Sequence, residues 1–367
     1  MNITYSRFLL ALALFISIAS SSSAQIAGDD FKPSGRVVGQ LFLDYYYKMA
    51  GDSNTVIKSK LPAQYANTPK FFSAFDFRRV YLGYDYDFTR SVSASLLLSN
   101  ENSSAGTGDV LADNRRGVYI KEANLKVKDV IPMATIVLGQ SKTPTFTLFE
   151  ENIYGYRSIE KTISDMRGFE SSNDLGVAVL GKFDEAGNYG YNVMLANGAK
   201  SGAIAETDRY KKVYAALNGQ FFDKLLSAEV FADYNPTSDS QSTMAIKGFV
   251  ALQIEPITVG VEYYVATMTK ASLGKDVKPR GISIFAHADI IKNSFAVFGR
   301  FDMFDPDNSN TTAGVKENFI SAGVDWSPVT NVHVMPNVWM DTYSNKASTG
   351  TIPDNDVVLR LTGSFKF

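Results

Sequence analysis

The chain has 367 residues, with 38 acidic against 36 basic side chains and no cysteine. That balance leaves no basic stripe for nucleic acid, and the missing cysteine excludes a disulfide framework, a thiolate metal site and a cysteine nucleophile. Aromatics reach 13%, with 19 Tyr and 25 Phe, yet no long apolar run follows the first 24 residues, a composition that suits strands greasy on one side only.

The N-terminus reads as an export signal. Arg7 precedes the run FLLALALFISIA, Phe8 to Ala19, and Ser20 to Ala24 supply a small-residue exit, so cleavage is placed after Ala24 with residues 1–24 as signal peptide. Twelve residues are too few to cross roughly 30 Å of hydrocarbon at about 1.5 Å per residue, so the run is not a membrane anchor. Residues 25–34 form a short lead, too short for the plug domain of a gated receptor.

Residues 35–367 change to an alternation of apolar and polar residues, the period of a β-strand. Sixteen segments carry it: Gly35 to Lys48, Ser73 to Phe88, Ser91 to Asn100, Gly117 to Val127, Met133 to Ser141, Asp174 to Phe183, Asn188 to Ala196, Tyr210 to Gln220, Leu225 to Tyr234, Thr243 to Ile254, Ile257 to Thr267, Arg280 to Ile290, Asn293 to Phe304, Glu317 to Trp326, Val329 to Asp341 and Asn355 to Phe367. The last, LRLTGSFKF from Leu359, ends the chain on an aromatic.

Connections between the segments alternate in length. Short turns fall at Thr89-Arg90, Lys128 to Pro132, Asp184 to Gly187, Phe221 to Lys224, Glu255-Pro256, Ile291-Lys292 and Ser327-Pro328, and longer polar stretches lie between them. Short and long connections therefore sit at opposite ends of the strands, which predicts an all-β, up-and-down antiparallel barrel of about sixteen staves crossing a membrane. Closure matters because an open sheet would leave two unpaired edges in lipid.

Splitting the segments by parity gives two faces. Val250, Leu252 and Ile254, then Val259, Val261 and Tyr263, then Ile282, Ile284, Ala286 and Ile290, and Val332, Val334, Val338 and Met340 are expected to meet lipid. Lys247, Glu262, His287, Asp289, Arg300, Asp302, Asp325, His333, Asp341 and Arg360 are expected in a wide, water-filled lumen, because unpaired buried ions would cost several kcal/mol each. Phe88, Phe183, Tyr189, Trp326 and Phe367 lie near the short turns, where an interfacial girdle belongs. In GVYIKEANLKV, Glu122, Asn124 and Lys126 share one face. Lys121 is left among Ala123, Leu125 and Val127, at the outer rim or in a protomer contact.

A signal peptide, sixteen alternating segments, one outsized loop in third position and a terminal Phe together resemble the bacterial outer-membrane porins. The stretch ENIYGYRSIEKTISDMRGFESSNDLGVAVL, Glu151 to Leu180, also resembles the loop-and-strand region of phosphate-selective O and P porins. The resemblance implies a homotrimer and a third loop, residues 143–173, folded into the barrel to narrow it. That loop carries Glu150, Glu151, Arg157, Glu160, Lys161, Asp165, Arg167 and Glu170, with Ser158 to Asp165 expected as a turn or two of helix. Arg36, Arg79, Lys126, Lys212 and Arg300 are the basic wall residues expected to face it across the constriction. Phosphate-selective members line their pore with Arg and Lys. Here Asp44, Asp85, Glu229, Asp233 and Glu262 stand among the cations, so anions such as phosphate enter only as a possible solute class. By the same resemblance the terminal Phe is the tag that outer-membrane assembly machinery reads.

Catalysis finds little support. The two histidines, His287 and His333, come with no G-x-S-x-G or H-E-x-x-H, and Asp85 with Asp87 reads as a pair of rim or lumen charges. DPDNSN from Asp305 offers alternating oxygens at Asp305 and Asp307, but Asn310 stands where a calcium loop needs Gly, so Ca²⁺ is a minor alternative to a solvated loop. The expected activity is passive diffusion of small hydrophilic solutes or ions across an outer membrane. The competing expectation is a secreted soluble β-sandwich that binds carbohydrate or serves adhesion.

Overall fold

A computed structural model describes residues 31–51, 65, 68–101, 117–198, 205–272, 274–312, 314–346 and 352–367. The signal peptide and most of the lead lie outside these residues. Seventeen strands run in chain order: β1 Ser34–Ala50, β2 Ser73–Asp87, β3 Val92–Glu101, β4 Tyr119–Lys128, β5 Ala134–Lys142, β6 Asn173–Lys182, β7 Tyr189–Ala196, β8 Lys212–Phe221, β9 Leu226–Pro236, β10 Ser242–Ile254, β11 Ile257–Ser272, β12 Lys275–Val277, β13 Arg280–Ile291, β14 Phe295–Asp305, β15 Val315–Val329, β16 Val332–Asn345 and β17 Asp356–Lys366. Two short helices interrupt them, α1 Glu150–Tyr154 and α2 Ile163–Met166.

All seventeen belong to one antiparallel sheet. β12 pairs only with the far end of β11, and β11 pairs directly with β13, so sixteen staves form the wall. β1 pairs with β2 on one side and β17 on the other, from Gln40↔Lys366 to Ala50↔Val357, which closes the barrel. The backbone N–H groups of Gly39 and Phe367 each donate to the other's carbonyl at 3.0 Å. A side chain on Gly39 would meet the Phe367 ring at 2.3 Å, so the terminal aromatic lies over a position that has room for it only as glycine.

The outward face is apolar. Val250, Leu252, Ile254, Val259, Val261, Tyr263, Ile284, Leu359 and Leu361 are exposed, while Lys247, Glu262, Arg300, Asp302, Asp341 and Arg360 on the other parity are buried inside. A soluble sandwich needs the reverse arrangement, and this closed sheet overturns that expectation. Phe88, Phe183, Tyr189, Trp326 and Phe367 are all exposed near the short-turn end.

Three local expectations change. The last short turn falls at Thr330-Asn331, because β15 runs on through Ser327 and Pro328 over an irregular register and Asn331 takes the left-handed conformation (φ 65°) that closes the hairpin. Lys121 is the extra residue of a bulge: Leu97 pairs with Glu122 and Leu98 with Ile120. The bulge turns Lys121 inward, where it joins Glu101 near the long-loop end of β4 and needs no shelter on the outer face. A second bulge pairs Phe42 with Arg79 and Leu43 with Phe77, so neighbours Arg78 and Arg79 both point inward. Strict parity would have sent one of them outward.

The closing contact of β1 and β17 makes an expected outcome. Deleting Phe367 should lower the yield of heat-modifiable folded barrel on denaturing gels and leave single-channel conductance of the molecules that do fold at the wild-type value.

Candidate functional site: the third loop inside the barrel

Loop residues 143–172 enter the lumen and touch the wall on many staves. Glu150 on α1 takes Lys247 of β10 at 2.5 Å, and Tyr154 packs on Phe285 of β13 with ring centroids 5.0 Å apart. Tyr156 stacks on Phe298 of β14 at 4.5 Å, Ser158 donates to the Met335 sulfur of β16 at 3.8 Å, and the Ile163 N–H donates to Glu262 of β11 at 3.2 Å. Arg167 pairs with Glu317 of β15, and Glu170 receives Lys212 of β8 at 2.7 Å. The result is an apolar cluster inside the barrel, with Ile153, Tyr154, Tyr156 and Ile159 from the loop against Phe249, Phe285, Phe298 and Met335 from the wall.

This packing corrects the expectation of a wide, wet lumen. The lumen charges are tolerated because they are paired: Arg78 with Asp44 at 2.9 Å, Arg300 with Asp302 at 2.6 Å, Lys48 with Asp356 at 2.7 Å, and Lys247 with Glu229 at 2.9 Å in addition to Glu150. Breaking such a buried pair typically costs about 3–5 kcal/mol, since the remaining charge is stranded. Pairing therefore removes the argument that inward charges demand a wide bath of water.

Of the stretch expected to be helical, Ser158 to Asp165, only the last three residues are, as the start of α2. α1 stops at Gly155, whose φ of 73° is left-handed, and α2 starts at Ile163. Between them the backbone is held from outside. The carbonyl of Arg157 accepts from Arg79 at 3.2 Å, that of Ile159 from Arg78 at 2.5 Å and from Arg360 at 3.0 Å, and that of Lys161 from Arg300. The Ile163 N–H, which a continuous helix would give to the Ile159 carbonyl, goes to Glu262 instead, so no helical ladder runs from Ser158 into α2.

The expected site residues divide accordingly. Glu150, Arg167, Lys212 and Arg300 anchor the loop, and Arg79 braces both the Arg157 carbonyl and Glu101, the latter at 3.7 Å. Glu151, Arg157, Lys161 and Asp165 form one ion-paired group on the loop. There burial pushes the Asp165 carboxyl up, but Lys161 and Arg157 outweigh it and hold it below its usual range. Glu160 receives the N–H of Lys161 at 2.9 Å, and it too is held low by Arg78 and Arg360 against the effect of burial. Glu170 goes the other way: burial lifts it to about 8, Lys212 opposes and Asp233 reinforces.

Arg36 and Lys126 are not brought to the loop. Arg36 is exposed at the short-turn mouth beside Asp85 at 3.1 Å, and Lys126 donates to Ser95 at 3.1 Å further along the wall. Conversely Arg78, Lys121, Lys247 and Arg360 contact the loop although the constriction set omitted them. Two of the four stand in the mid-strand pairs Arg78-Arg79 and Lys121-Glu122, and adjacent charges on one strand are the signal that a bulge turns both inward. The acidic-loop, basic-wall division also fails, since the loop contributes Arg167 to a wall acid.

Two cavities lie below the loop. One of about 680 Å³ is lined by Gln40, Tyr156, Arg157, His287, Asp325 and His333 among others. The second, about 720 Å³, runs along the wall from Arg36 and Lys366 past Lys126 and Asn124 to Tyr81 and Glu122. In the first, His333 sits 2.9 Å from Asp325 and His287 lies 3.4 Å from the Ile153 carbonyl. Asp305 is paired with Lys346, and Asp307 accepts from Ser309 and from the Lys278 N–H. Among the described residues no three His or acidic side chains converge as a metal site.

No protein-family model matches the chain, and no curated protein sequence does. Solved structures do. The chain is similar to the outer membrane channel DcaP of Acinetobacter baumannii, with a TM-score of 0.64 at 11% identity over 93% of this chain and 100% of that one. It is similar to an anion-selective porin from Comamonas acidovorans, TM-score 0.60 at 12% identity over 92% and 100%. OmpT of Vibrio cholerae, TM-score 0.60 at 12% identity over 93% and 99%, shares the fold and has also been solved in a trimer form. The architecture is that of the bacterial outer-membrane porins.

The arginine clamp on the loop is testable. Arg360→Ala removes donors to the Ile159 carbonyl and, at 2.8 Å, to Asn337. It should cost about 2–3 kcal/mol locally, the range of charged hydrogen bonds lost from buried partners. The loop should become cleavable by added protease, with noisier and larger single-channel currents.

Proposed function

We propose that the protein is a porin: a passive, water-filled channel for small hydrophilic solutes or ions in a bacterial outer membrane, exported through a cleaved signal peptide and assembled as a homotrimer. One observation carries this reading. A closed barrel presents its apolar residues outward, and inside it a charged loop is clamped across the lumen above two cavities of mixed polar and apolar lining. An apolar exterior suits lipid. A paired, charged interior suits dissolved solutes.

The finer question is charge preference. For anions such as phosphate, a preference would need cations that still face water. Arg78, Arg79, Arg300 and Arg360 are engaged by loop carbonyls and carboxylates, so the arrangement supports a mixed-charge passage more than a phosphate ladder.

Purified protein added to a planar lipid bilayer in KCl should produce stepwise, ohmic conductance increments. A folded preparation that inserts and yields no steps would contradict the proposal.

A further inference from the structure

The lumen charges are not equally accessible. Side chains of Arg78, Arg300, Lys247 and Arg167 show 0–2% of their surface. A second set is wetter: Asp165 at 9%, Lys121 at 10%, Glu101 and Glu151 at 13%, Arg157 and Lys161 at 17%. This set has two halves. Glu151, Arg157, Lys161 and Asp165 sit on the loop, and Glu101 and Lys121 sit on β3 and β4.

The wall half is also where the larger cavity leads. Tyr81, at the end of that cavity, donates its hydroxyl to Glu101 at 2.8 Å, and the Lys121 ammonium lies 5.4 Å from the centroid of the Tyr81 ring. Lys121 also donates to Ser172 at the loop's return, at 3.1 Å, so one ammonium touches both sides. Arg157, on the facing side, lines the other cavity. Glu101 and Lys121 thus stand directly beyond the Tyr81 and Glu122 lining of the larger cavity, and Arg157 borders the other.

We propose that Glu101 and Lys121, brought into the lumen with the help of the β3–β4 bulge, are the wall residues that set the channel's ion preference, and that the conspicuous buried arginines hold the loop without contacting the solute. The inference rests on the porin reading. Its physical content is that only a charge sharing water with the passing ion acts on it strongly. A unit charge about 4 Å from an ion in water is worth about 1 kcal/mol, a factor of about five.

The test is the reversal potential across a bilayer under a KCl gradient at low ionic strength. Lys121→Gln should shift the permeability ratio toward cations and Glu101→Gln toward anions, each by up to about fivefold, with the effect shrinking as salt screens the charge. Lys121→Arg should keep the wild-type value, because it keeps the charge. Since the chain has no cysteine, Lys121→Cys gives a second readout. A negatively charged, water-soluble thiol reagent added to the open channel of that variant should change its current and its reversal potential. Variants that conduct with the wild-type reversal potential, or a thiol introduced at position 121 that stays unmodified in a conducting channel, would overturn the inference and leave the porin reading intact. A wild-type protein that opens no channel would overturn both.

Discussion

A loop that enters a barrel carries its backbone with it, and every buried carbonyl then needs a donor. The wall answers with arginine. Arg79, Arg78 with Arg360, and Arg300 reach the carbonyls of Arg157, Ile159 and Lys161 in turn, from strands far apart in sequence. A guanidinium suits this task because it offers several donors in a fixed plane, so it can bind a carbonyl and a carboxylate together. Arg300 does both, holding Asp302 and the loop.

The remaining organisation follows from that clamp. With the backbone held, Tyr154, Tyr156 and Ile159 are pressed against Phe249, Phe285 and Phe298, and a lumen lined by charged residues acquires an apolar core of its own. The acids that neutralise the arginines are buried with them, so most of the lumen's charge is spent on structure. What remains in contact with water is a smaller group, at the edge of the loop, on β3 and β4, and along the two cavities toward the short-turn end. Charge count along the lumen is therefore a poor guide to what a solute meets, and accessibility is a better one.

Much of the barrel was legible in the sequence. Alternation located all sixteen staves to within a few residues, and the long–short rhythm of connections set their up-and-down order. Parity held because a side chain on the wrong face would put a charge among the apolar residues of the outer face. It failed where a bulge inserted a residue, at Arg78 and Lys121, since period two has no term for an extra residue. The helix expected over Ser158 to Asp165 forms only from Ile163, because partners of the segment before it lie on β2, β14 and β17 and no local pattern records them. Arg36 and Lys126 were chosen for charge and parity, but position along the stave decides contact with the loop, and both lie toward the short-turn end.

The central claim is that the third loop is clamped inside the barrel, and a chain without native cysteine allows it to be measured directly. Ser158 and Met335 approach within 3.8 Å, loop against wall. In the double variant Ser158→Cys/Met335→Cys, a short bifunctional thiol reagent added to the folded protein should bridge the two residues within one chain, visible by peptide mass and abolished by unfolding before the reaction. A folded, conducting double variant in which the reagent labels both thiols singly and never bridges them would contradict the account, placing the loop outside the lumen.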